Sequence, residues 1–218
     1  MNKTFFKRIF SIIIAIITVL TMTTVAFAQT DTHASDDEIV ATITLFCRPN
    51  MILHGHGWIY VENLSDSTIE LGHYDLLPGD GVSIGTFANS REDGWGIYYN
   101  IESYSATTYG MDGCTTITEE LTENEVETLS NKIYNYTNTW NHFINCMYFA
   151  FTMWNSVSDI TFIPVVFPIF GQLQMLFYDY QTDEPDMKPV TADQVYRQKG
   201  TGDKAYLVPA SEGSLDPL

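Results

Sequence analysis

From Ile39 onward, apolar and polar positions alternate along the chain. "IVATITLFC" (39–47) is rich in β-branched residues at that period, which predicts a half-buried strand. "HGWIYVENL" follows, then the turn-like "SDS" and "TIELGHY", which together predict a hairpin. "PGDG" (78–81) is a strong turn signal ahead of a further strand, "VSIGTF". "NSREDGWG" predicts a loop and "IYYNIES" one more strand. The period then changes: Leu121, Val126, Leu129 and Ile133 recur at helical spacing, and Thr122 with Glu125 forms a capping box at the start of that helix.

A second helix is expected from about Cys146 to Val157, with Asn145 as its N-cap. "PIFGQLQMLFYDY" predicts a third, shorter helix with Pro168 in its first turn. "QVYRQ-KGTGD-KAYLV" predicts a late hairpin around a glycine-rich turn. Strands first and helices after imply an α+β domain, an antiparallel sheet packed against helices. It spans residues 38–210 and is followed by a frayed tail, 211–218.

The first 28 residues stand apart. Lys3, Lys7 and Arg8 precede the apolar "SIIIAIITVL", and "AFA" (26–28) supplies small residues at a cleavage site. This predicts a secretory signal peptide cut after Ala28, so that the exported form begins at Gln29 with a polar linker, 29–37. The rival reading is an uncleaved anchor, but the apolar run is shorter than the ~20 residues a span needs. A secreted or extracytoplasmic protein with no stable membrane insertion is therefore expected.

Cleavage would take the formal charge from −17 to −20. Phosphate backbones would repel so acidic a chain, which argues against a nucleic-acid partner. Polyanionic wall polymers would be repelled too, so a wall substrate would need local contacts.

Cys47, Cys114 and Cys146 make an odd count: one disulfide plus a free thiol, or three thiols. There is neither a CxxC motif nor zinc-finger spacing, and no metal or cofactor is expected. Cys146, at a helix start, is where free N–H groups and the helix dipole favour a thiolate. Five histidines are present, at 33, 54, 56, 73 and 142. If residues 64–67 form a four-residue turn, Trp58 pairs with His73, and His56 and His73 share one sheet face as diagonal neighbours. A base oriented by a second polar group and facing a helix-terminal cysteine is the general arrangement for an activated thiol.

"GHGWIYVEN" (55–63), "GHY" (72–74) and "NCMYFA" (145–150), in that order, resemble the circularly permuted papain-like superfamily. That superfamily includes NlpC-related cell-wall peptidases, bacterial amidases and the lecithin:retinol acyltransferase group. The acyltransferase branch has an acidic residue and a histidine after the asparagine-cysteine pair, where this chain has Met147 and Tyr148. The resemblance covers roughly residues 38–180. It implies Cys146 as nucleophile, His56 as base and His73 as the group orienting the imidazole. His54 is the alternative base and His142 a pocket residue; Trp95 and "YYN" could line a groove. The implied function is an exported cysteine hydrolase acting on amide bonds of small peptides, such as those of peptidoglycan. The alternatives are a non-catalytic secreted binding module on the same fold, and a thiol acyltransferase or lipid-ester hydrolase.

Overall fold

A computed structural model describes residues 38–50, 54–88, 95–137, 144–178, 180–183, 186–210 and 215. The expected signal peptide and linker, His33 and His142 lie outside these, as does the side chain of His54. The elements in chain order are β1 (Ile39–Asn50), β2 (His54–Asn63), β3 (Ile69–Leu71), β4 (Tyr74–Leu76), β5 (Gly81–Ala88), β6 (Trp95–Tyr99), α1 (Ile101–Tyr109), β7 (Cys114–Thr122), α2 (Glu123–Tyr134), α3 (Cys146–Trp154), α4 (Pro168–Met175), β8 (Gln181–Asp183), β9 (Tyr196–Lys199) and β10 (Tyr206–Pro209).

Eight strands form one sheet in the order β10-β9-β6-β5-β2-β1-β7-β8, and each neighbouring pair is antiparallel. β3 and β4 form a separate two-stranded sheet. The architecture is α+β, as the order of elements in the sequence implies.

Alternation along the central strands sends side chains to two cores. Ile43, Leu45, Ile59 and Val61 join Val126, Leu129 and Ile133 of α2 and the apolar residues of α3 in the main core. Phe46, Trp58 and Tyr60 face the other way and pack with Met111, Cys114 and Met187, with Ala106 of α1 against them. The sheet is thus covered on both faces, with α1 opposite α2 and α3.

The expected pairing of β2 with the strand around His73 does not form. Asn63 is fully buried, and its Nδ2 donates to the carbonyls of Ser67 (2.7 Å) and Leu76 (3.0 Å). Its own backbone pairs with Asp80 and Gly79. Residues 64–79 therefore leave the sheet as a closed excursion containing the β3–β4 hairpin, and β5 takes the place beside β2.

The strand expected at 97–103 also ends early. Asn100 adopts a left-handed conformation (φ 69°), which asparagine tolerates better than most residues. Its backbone N–H donates to Ser83 O and its Nδ2 to Tyr74 Oη and Gln194 O, so a sharp strand-to-helix turn is held from three sides. β7, which the hydrophobic pattern did not single out, is the strand on the far side of β1.

Candidate active site

The cysteine lies where the local sequence puts it. Asn145 caps α3, its Oδ1 accepting from the N–H groups of Met147 (3.1 Å) and Tyr148 (3.2 Å). Its Nδ2 donates to Val166 O (2.8 Å), which fixes the cap against the segment leading into α4. Cys146 is the first residue of the helix and is partly exposed.

His56 comes from β2 and is 9 % exposed. Its Nε2 lies 3.0 Å from Glu102 Oε1, and the Cys146 thiol is close enough to act on the ring through charge and hydrogen bonding. The three side chains thus form a relay from Cys146 through His56 to Glu102, with the ring steadied by Phe87 (centroids 4.4 Å apart) and Trp58 (5.4 Å).

Two glycines make room for this arrangement. A Cβ on Gly85 would fall on Glu102 Oε1 and crowd His56 Nε2, so only glycine lets β5 pass beneath the pair. A Cβ on Gly57 would fall on the Met147 sulfur. β2 is in register with β5 only from Ile59 to Glu62, and just before that ladder the Gly57 N–H is directed at the Cys146 sulfur.

Glu102 is fully buried in the first turn of α1, where the free N–H groups of a helix favour a carboxylate. Ser103 N–H donates to Ser83 Oγ (3.1 Å) and ties that turn to β5. Among the described residues, Glu102 Oε2 has no hydrogen-bond partner.

The electrostatics of the pair are coupled. Burial pushes the Cys146 thiol up. The charge on His56, its hydrogen bond and the N–H groups of Gly57 and Met147 outweigh that, and hold the thiol below its ordinary 9.0. Burial pulls His56 down, but the charge and hydrogen bond of Cys146, then those of Glu102, push it up to about 9. Both shifts favour a thiolate beside an imidazolium.

The other two cysteines behave oppositely. Burial pushes Cys47 far above the ordinary thiol range and Cys114 up to about 11, which disfavours a thiolate at both. All three are free thiols, so the sequence alternative with no disulfide holds.

Of the three site residues expected from the sequence, the structure brings together Cys146 and His56. It does not bring His73 to them. His73 lies in the β3–β4 turn, stacked on Tyr134 of α2 (centroids 4.6 Å), and Glu102 holds the position expected for it. Glu102 had one signal in the sequence: it is the single charged residue between Trp95 and Met111.

Among the described residues, no group of His, Cys, Asp and Glu is placed to hold a metal ion. Comparisons with protein-family models, curated proteins and solved structures find no match to this chain.

Proposed function

We propose that this protein is an exported cysteine hydrolase that cleaves amide bonds, built on a permuted papain-like arrangement with Cys146, His56 and Glu102 as its working residues. The observation that carries the reading is His56 held between a helix-terminal thiol and a buried carboxylate, with the thiol below and the imidazole above their ordinary values. Buried structural cysteines shift the other way, as Cys47 and Cys114 do.

In this reading the Cys146 thiolate attacks the amide carbonyl carbon, and the Gly57 N–H, already at the sulfur, is a donor for the oxyanion that forms. The C–N bond breaks, the proton on His56 goes to the departing amine, and a thioester remains on Cys146. His56, now neutral, takes a proton from water; the hydroxide adds to the thioester, and the thiolate leaves. Glu102 holds the ring orientation and stabilises the imidazolium. Small peptides such as peptidoglycan stem peptides are the substrates that the resemblance implies. Export rests on the signal-like residues 1–28, and the secreted form should begin at Gln29.

The test combines chemistry and turnover. Cys146 should react with iodoacetamide at pH 6 faster than glutathione does, while Cys47 and Cys114 stay unlabelled in the folded protein. Cys146→Ala and His56→Ala should each lower stem-peptide hydrolysis about a thousandfold or more, because the groups act as a unit. Undiminished hydrolysis by folded Cys146→Ala, or a thiol no faster than glutathione, would remove the nucleophile and leave the binding-module reading.

A further inference from the structure

The described residues include 14 exposed large apolar side chains, and eight of them fall between 163 and 180. Ile163, Phe167, Phe170, Leu173, Leu176 and Phe177 form the bulk of this face, and Phe177 is 87 % exposed. α4 divides its sides cleanly: Pro168, Gly171 and Met175 pack inward, while Phe170 and Leu173 face out. From Ile160 to Tyr178 there is not one Asp, Glu, Lys, Arg or His, in a chain whose net charge is −17. Exposed apolar patches of this kind mark contact sites.

The chemistry of the face narrows the occupant. A protein partner would need about one hydrogen bond per 100–200 Å² of interface. The amides of α4 are already committed: Gln172 Nε2 donates to Thr115 Oγ1 (2.8 Å), and Gln174 bonds both Ile163 N–H (2.8 Å) and Ile163 O (3.0 Å). A second copy of the chain would bring a second charge of −17 against the first. An uncharged lipid surface needs neither polar partners nor opposite charge, and it accepts a protruding phenylalanine.

We propose that this face docks on an uncharged lipid surface. It lies on the surface rather than crossing it: α4 has eight residues, about 12 Å at 1.5 Å per residue, against a hydrocarbon core of about 30 Å. The Asn145–Val166 bond ties the segment leading into α4 to the start of α3.

The experiment uses the expected secreted form, beginning at Gln29 and carrying Phe177→Trp, with phosphatidylcholine vesicles whose acyl chains are brominated, and reads quenching of the added fluorescence. Leu77→Trp, at an exposed position outside this face, is the control. The expected result is quenching at 177 and little at 77, weakened by mixing in anionic phosphatidylglycerol. Adding Phe170→Ser and Leu173→Ser should lower the quenching several-fold. The proposal is overturned by no quenching at 177 or by equal quenching at both positions, which would report a tether elsewhere. It is equally overturned by quenching indifferent to the serines or strengthened by phosphatidylglycerol. A dimer that forms without lipid and is dispersed by the same serines would assign the face to a second copy.

Discussion

Glu102 is fully buried, on a helix that the hydrophobic pattern of the chain does not announce, and its bond to His56 sets the state of a sulfur it does not touch. Glu102→Gln keeps the shape and an oxygen acceptor but removes the charge, so His56 should fall from about 9 and its hold on the Cys146 thiolate should weaken. The sign follows from the direction of each shift. A raised imidazole contributes stability in full below its ordinary 6.5 and loses it as pH rises through about 9. Turnover that needs the imidazolium should likewise fall above about 9 in the wild type and at lower pH in the variant. The acid limb moves the other way, because the thiol should rise toward its ordinary value. Iodoacetamide labelling at pH 6 should slow, because less of the thiol is then ionised at that pH. A labelling profile indistinguishable from wild type would show that Glu102 does not act on the pair.

At the scale of elements, two capped helices separate stability from chemistry. Thr122 and Glu125 close a capping box on α2, and Asn145 caps α3 with bonds to two N–H groups. Thr122→Ala and Asn145→Ala should each cost about 1 kcal/mol, the usual worth of a cap. Only Asn145→Ala should slow the labelling of Cys146, because it loosens the Met147 N–H and frees the helix start from Val166. Chemical denaturation measures the first effect and labelling rates the second; equal labelling in both variants would show that the cap only stabilises. These caps were legible in the sequence because a helix start is a local signal, as were Pro168 at the start of α4 and the late hairpin, which pairs Tyr206 with Lys199. The partner of His56 was not legible. It depends on which strand lies beside β2, and that is decided by the buried Asn63 amide closing an excursion of the chain. It depends also on Gly85 leaving space for a carboxylate from a helix that begins after a left-handed asparagine. Cys146 at a helix start and His56 on a strand were thus readable as placements, and the contact between Glu102 and His56 only in the fold.

Over the whole molecule, charge works against the compact state. Acidic residues outnumber basic ones 27 to 10, so like charges repel across the folded surface and separate when the chain unfolds. The attractive pairs among the described residues are few and mostly exposed: Arg48–Asp112 at 3.7 Å and Lys188–Glu62 at 2.8 Å, beside the buried His56–Glu102. Exposed pairs are worth about 0–1 kcal/mol each, too little to offset such an excess. Raising ionic strength from about 0.01 M to about 1 M shortens the screening length from about 30 Å to about 3 Å, which removes the long-range repulsion first. The site pair, out of solvent, is screened far less. The melting temperature should therefore rise with sodium chloride, by about 2–4 °C for each kcal/mol of repulsion removed from a chain of this size. Labelling of Cys146 at fixed pH should barely change over the same range. A melting temperature that falls with salt would show that specific ion pairs, and not the net charge, dominate the surface electrostatics.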